Sequence, residues 1–386
     1  MGGARHGGGQ TVPMRPLAWA LLAPVALLTL VGMILLWPSA TDSTAGPSSV
    51  QEVDARVLTI DPQECSALEA ETQAVCGTVT VELEEALDGQ QEIEVPLPDG
   101  PGAPELSEGD AVVVVASEGP TGPLYGIVDH QRGTQLWVVL IAFSLALIAF
   151  GRWRGVSALV GLAITFVLLL VFIVPAIVAG EPPVLVALVG AAAVTLVVLY
   201  LTHGPSLPTT VAVMGTLASL ALTGVLAELA VGALRLTGVT DDISTTVQAT
   251  YGVDVRGLLV ASIIIGSVGV LDDVTVTQAA TVTELSRANP TYGFGELYRA
   301  GSRVGRSHIA SVVNTIVLAY AGSSLPLLVL VVADSGSLTD IASTQLIAQE
   351  IVRSAVATLG LIAAVPLTTG LAALAARTAG DAARTM

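Results

Sequence analysis

Apolar residues fall in eight long blocks along the chain: Leu17–Trp37, Gln135–Phe150, Val156–Val178, Val184–Leu201, Pro208–Leu234, a stretch opening at Gly257, His308–Ala333 and Glu350–Ala376. A helix needs about 20 residues to cross a ~30 Å hydrocarbon layer, and these blocks approach or exceed that length. Between the first two blocks the period changes. "EVDARVLTI", "GTVTVELEE", "QQEIEVPLP" and "DAVVVVAS" alternate or are rich in Val, with Gly, Pro and Asp turns between them. The pattern predicts an α-helical polytopic membrane protein of about eight transmembrane helices. It also predicts one small extracytoplasmic all-β domain after the first helix, a barrel or sandwich of about five strands from Val50 to His130.

The expected organisation is a cytoplasmic tail (1–16), an uncleaved anchor (17–37), an acidic β domain (38–132), a seven-helix bundle (133–377) with an amphipathic cytoplasmic loop at about 287–307, and a second cytoplasmic tail (378–386). The first block is longer than the ~7–15-residue apolar core of a signal peptide, which is why it reads as an anchor.

Composition agrees. The chain of 386 residues is 53% hydrophobic and 12% charged, where a soluble domain carries about 25% charged residues. Between Ala40 and Arg132 lie 19 acids and two arginines, Arg56 and Arg132, a balance of −17 that equals the net charge of the whole protein. Such an acidic segment excludes nucleic acid as a partner. Lysine is absent. With the N-terminus inside, ten arginines fall on the cytoplasmic side and five outside or at the outer boundary, so both termini are expected in the cytoplasm of a plasma-membrane protein. The partner implied is the lipid bilayer. The two cysteines, Cys65 and Cys76, both lie in the acidic segment, where a disulfide is allowed and a free thiol pair is the alternative.

The candidate chemistry sits in "SVGVLDDVTVTQAATVTEL". Asp272 and Asp273 close the sixth apolar block, and Glu284 follows ten uncharged residues later. Two readings stay open. The span can end at Leu271, with Asp272 near the N-cap of a cytoplasmic helix. Or the helix continues and the pair lies within the bilayer, where a charge costs about 2.5–3.5 kcal/mol or more and usually marks a pathway. At 100° per residue, Asp273, Thr277, Thr281 and Glu284 form one polar stripe. Partners could come from the next helix. Arg303 and Arg306 could offset the carboxylates, with positive-inside anchoring as the plain alternative. His308 reads as a capping or interfacial residue before a proton relay, and Ser307, Ser311 and Asn314 share one face. Glu350 and Arg353, at i and i+3, read as a local ion pair. Nothing in the sequence calls for a cofactor or a metal.

The segments "GVLDDVTVTQA", "RVGRSHIAS", "NTIVLAYAGSSLP" and "AQEIVR", in that order, resemble the YibE/F-like membrane proteins. The resemblance runs from the β domain to the last apolar block. It implies an integral membrane protein with one extracytoplasmic domain, and it brings no biochemical activity with it. A more distant likeness links "GVLDDVTV" and the following acid to the proton-carrying helix of resistance–nodulation–division exporters and of SecD and SecF. This chain departs from them in having two extra spans before that helix, a far smaller outer domain and no lysine partner.

Three functions follow as expectations. The first is a transporter or ion-coupled permease using Asp272, Asp273 and Glu284 to carry protons or cations, with Thr277, Thr281 and Asn314 along the path. The second is a non-transporting scaffold or sensor whose β domain binds a partner or cation. An intramembrane enzyme is the least favoured, since no zinc-binding His/Glu motif or Gly-x-Ser-x-Gly elbow occurs.

Overall fold

In the computed structural model the described residues are 16–38, 50–63, 76–87, 89–99, 102–119, 122–239, 242–326, 328–329 and 343–384. They belong to two compact units, Asp42–Phe150 and a second that joins Met1–Thr41 to Gly151–Met386.

The alternating segments form five strands: β1 (Val50–Gln63), β2 (Cys76–Leu87), β3 (Gln90–Pro96), β4 (Ala111–Gly119) and β5 (Gly122–His130). They pair antiparallel in the order β3-β2-β1-β4-β5, and the edge strands β3 and β5 approach each other, which curls the sheet into a half-barrel. Period-2 alternation explains its core. Val53, Ala55 and Val57 of β1, Val79, Val81 and Leu83 of β2, and Val112 and Val114 of β4 are all buried, while Glu52, Asp54, Arg56, Glu82 and Glu84 between them are exposed. The possible Cys65–Cys76 disulfide involves Cys65, which lies outside the described residues. The same unit ends in helix α2 (Gly133–Gly151), none of whose residues is buried.

The second unit holds α1 (Pro16–Leu35), α3 (Trp153–Val178, with a π-helical turn at Leu169–Ile173), α4 (Pro183–His203), α5 (Leu207–Ala233), the short α6 (Asp242–Tyr251), α7 (Val255–Ala288), α8 (Phe294–Ser323) and α9 (Gln345–Arg384). Six described helices are long and apolar enough to cross a membrane: α2, α3, α4, α5, α7 and α9. Eight were expected. Of the other two, α1 contributes only a shorter apolar helix, Leu22–Leu35. Helix α8 begins with an arginine-rich half and runs to Ser323, and the last residues of the block expected to reach Ala333, 330–333, fall outside the described residues. The amphipathic loop expected at 287–307 is mostly helix, because α7 runs to Ala288 and α8 starts at Phe294.

Helix α7 is the centre of the bundle and packs against α4, α5, α8 and α9. Its Leu259, Val260, Ile263, Ile264 and Leu271 meet Leu220, Ala227 and Val231 of α5 and Val352, Val356, Leu361 and Ala364 of α9. At 34 residues and 1.5 Å per residue it is about 51 Å long, more than a hydrocarbon layer requires. Asp272 lies at its middle, and the helix continues unbroken through Asp273. Neither aspartate is therefore an N-cap.

Candidate functional site

Asp272 is partly buried between α4, α5 and α7. Its Oδ1 accepts a hydrogen bond from Oγ1 of Thr195, on α4, at 3.3 Å. The hydroxyl of Thr216, on α5, is the second group against the same carboxyl. Thr216 Oγ1 lies 2.7 Å from Thr275 Oγ1, and Thr275 in turn donates to the backbone carbonyl of Asp272 at 3.1 Å. All three threonines are fully buried. A hydroxyl carries one proton, so this pair has two donor arrangements. When Thr275 donates to the Asp272 carbonyl, Thr216 donates to Thr275. When Thr216 donates to the carboxyl, Thr275 donates to Thr216. Rotating two hydroxyls therefore shifts a donor between the backbone carbonyl and the carboxyl of Asp272, with no movement of a helix.

The carboxyl opens on a cleft of about 420 Å³ between α3, α4 and α7. Ile173, Ala191, Val194, Val198 and Val276 make up much of its apolar lining. The polar side chains that reach it are Thr165, Thr202, His203, Asp272 and Asp273. His203 ends α4, its Nδ1 is 2.8 Å from Thr202 Oγ1, and it lies within electrostatic reach of both Asp273 and Arg154. The cleft thus runs from the middle of α7 to the end of the bundle where α4 passes into α5.

The predicted polar stripe is only partly brought together. Asp273 lines the cleft, but Thr277 and Glu284 are exposed elsewhere on α7. Glu284 pairs with Arg287 at 2.5 Å, and Thr281 donates to the Thr277 carbonyl at 2.8 Å. The interior face of α7 is the opposite one, with Leu271, Val274, Thr275, Gln278 and Val282. Ser311 and Asn314 are exposed on α8 and do not line the cleft that holds the aspartates. Arg303 and Arg306 pair with neither Asp273 nor Glu284 and line a separate cleft. His308 Nε2 is buried with no partner among the described residues.

Glu350 and Arg353 form the expected pair, at 2.8 Å. It is half-buried, at 21% and 26% side-chain exposure, and richer than a surface pair. Glu350 Oε2, Arg353 Nε, Gln349 Nε2 and Thr358 Oγ1 have no hydrogen-bond partner among the described residues. Glu350, Thr358 and Tyr320 line a pocket of about 590 Å³ between α8 and α9. The Tyr320 hydroxyl approaches Gly266 of α7, at the edge of a further cavity that takes in Ser267 and Leu271.

Sequence reasoning missed Thr195, Thr216, Thr275, Gln278 and His203. Gln278 donates to the Gly301 carbonyl at 2.9 Å and to Thr369 Oγ1 at 2.7 Å, tying α7 to α8 and α9. Its signal was available: an amide inside an apolar helix needs partners there. The threonines gave none, since a threonine can satisfy its hydroxyl on its own helix. Among the described residues no cluster of three or more His, Cys, Asp or Glu side chains could hold a metal ion.

The family model described as YibE/F-like protein matches residues 139–378, more than half of the chain and the whole of the site. No curated protein and no solved structure matches it.

Proposed function

This chain belongs to the YibE/F-like family, and we propose that it is an ion-coupled permease that carries a proton or cation on Asp272. The observation that supports this reading is a carboxyl in the middle of the central helix of the bundle, held by a threonine from a second helix and open to a cleft shared with Asp273 and His203. A charge at that depth persists where it has a partner or a task, and no cation pairs with Asp272 among the described residues. Hydroxyls that switch between donor and acceptor suit a carboxyl that gains and loses charge. In this reading Asp273 and His203 pass the ion between Asp272 and the cytoplasm. The termini are cytoplasmic and the acidic half-barrel extracytoplasmic, which the arginine distribution supports.

The test is proton flux into proteoliposomes holding a pH-sensitive dye. Wild type should carry protons down an imposed gradient, and Asp272→Asn, an isosteric change, should cut the rate at least about tenfold, as loss of an essential carrier requires. Equal rates in the two would sink the proposal.

A second reading, a membrane-anchored sensor, has one observation of its own. Glu82 and Glu92 stand directly opposite across the β2–β3 ladder, with Glu84 and Glu94 exposed beside them. Like charges so placed destabilise a sheet, and a cationic partner would offset that cost.

A further inference from the structure

A second charged cleft lies between α8 and α9, about 690 Å³ in volume, and it is lined by Arg299, Arg303, Arg306, Ser302, Tyr298 and an apolar wall of Ile309, Ile362, Val365 and Pro366. We propose that it binds the phosphate of an anionic phospholipid, the headgroup on the arginines and the adjoining acyl chain along the apolar wall. This inference does not rest on the transport reading.

The charge is uncompensated. The three arginines fall at i, i+4 and i+7, on one face of α8. None forms an ion pair among the described residues. Among the described residues their hydrogen bonds run to their own helix, Arg299 Nε to the Gly295 carbonyl at 3.1 Å and Arg306 Nε to the Ser302 carbonyl at 3.3 Å. The terminal guanidinium nitrogens remain available. Between them sits Ser302, whose Oγ is buried with no partner among the described residues.

The depth makes the charge costly. Gly301, within the same turns of α8, packs on Gln278 and Thr369, and Gly305 packs on Val365. Those neighbours belong to α7 and α9, two of the helices long and apolar enough to span a membrane. Arginine at that level extends its head toward the interface, and an unpaired cation near hydrocarbon is unfavourable. A phosphate answers both needs, because it accepts two parallel bonds from each guanidinium fork. Basic pockets between membrane helices bind lipid headgroups on this principle. A free anion would leave the apolar wall uncovered, whereas a lipid covers it.

The full-length protein, purified in mild detergent, is incubated with equal amounts of phosphatidylglycerol and phosphatidylcholine, and bound lipid is read by native mass spectrometry. Wild type should retain phosphatidylglycerol in clear preference. Arg303→Gln with Arg306→Gln should lower that retention more than about tenfold, since it removes two charge-assisted donors to the phosphate. Arg303→Lys with Arg306→Lys, which keeps the charge, should retain part of it and elute as wild type on size exclusion, separating lost binding from lost folding. Equal retention of the two lipids by wild type, or undiminished retention by the glutamine variant, would overturn the proposal. Displacement of phosphatidylglycerol by inorganic phosphate at matched concentration would overturn the lipid as the source of the phosphate.

Discussion

A Cβ placed on Gly215 would run into Oγ1 of Thr368, and one placed on Gly360 would run into Oγ1 of Thr223. Gly215 and Thr223 lie on α5, and Gly360 and Thr368 lie on α9. The two helices therefore cross antiparallel through two reciprocal glycine–threonine contacts about two turns apart. Ser219 and Ala364 sit between them, both fully buried. Close approach through small residues is how membrane helices associate when burial of apolar surface provides no net drive.

Gly215→Ala should destabilise the bundle by about 1–3 kcal/mol through overpacking. Thr368→Ala alone should cost less, since it only opens space. The double variant should be more stable than the sum of the single changes implies, because the added methyl then occupies the volume of the lost hydroxyl. Thermal unfolding in detergent reads all three. Strict additivity would show that the contact is not tight.

The carboxyl cradle separates its threonines by role. Thr195→Val removes the donor to Asp272 and should slow proton flux severalfold while the protein remains folded, since one neutral hydrogen bond contributes about 0.5–1.5 kcal/mol. Thr216→Val breaks both its contact with the carboxyl and its bond to Thr275, and should slow flux at least as much. If both variants transport at the wild-type rate, the hydroxyls do not serve the carrier.

Much of this architecture was legible in the sequence and part was not, for identifiable reasons. The apolar blocks and the β alternation place the helices and strands, because length and period are properties of the segments themselves. The place of Asp272 at the middle of α7 also follows once the helix is known to be continuous. The direction of α7 did not follow. A single polar stripe through Asp273, Thr277 and Glu284 looks like a bundle interior, yet Glu284 takes Arg287 as a local partner and leaves that face outward. The buried face is led by Leu271, Val274 and Val282, with Thr275 and Gln278 among them. Which threonines on α4 and α5 meet Asp272 depends on how the helices rotate against each other, and no local pattern records that rotation.

Asp129 offers a pH measurement outside the membrane spans. The Arg132 guanidinium, followed by the backbone amide of His130 at 2.9 Å, holds its carboxyl below the usual aspartate range. The folded-state value is depressed, so the pair's contribution is present above the unfolded value of about 3.9 and is lost as pH falls through the folded one. Carbon NMR of labelled aspartate should show Asp129 titrating below a typical aspartate, and Arg132→Gln should bring its midpoint back up. An unchanged midpoint would mean that the pair is not formed in solution.

Gln278→Leu should destabilise the protein by about 1–3 kcal/mol, because it leaves the buried Gly301 carbonyl without the amide donor and removes the acceptor-side contact of Thr369. Glu284→Gln should leave both stability and flux close to wild type, since its exposed pair with Arg287 is worth little. A flux defect in Glu284→Gln as deep as that of Asp272→Asn would restore the outward stripe as the path.

Cysteine accessibility along α7 distinguishes the cleft from the surrounding helix surface. On a background with Cys65 and Cys76 replaced, Asp273→Cys should react with a small water-soluble thiol reagent, because that position lines the cleft beside His203. Val274→Cys and Thr275→Cys, one and two positions on, should resist it, since both sites are buried between helices. Glu284→Cys should react freely, as an exposed residue near the end of α7. The discriminating comparison is between Asp273→Cys and Thr277→Cys, which share exposure but not the cleft. Lipid against Thr277 protects it from a charged reagent that needs water to form the reactive thiolate, whereas water in the cleft leaves Asp273→Cys reactive. Equal protection of the two would mean that the cleft is dry, and a carrier at Asp272 would then have no aqueous approach along it.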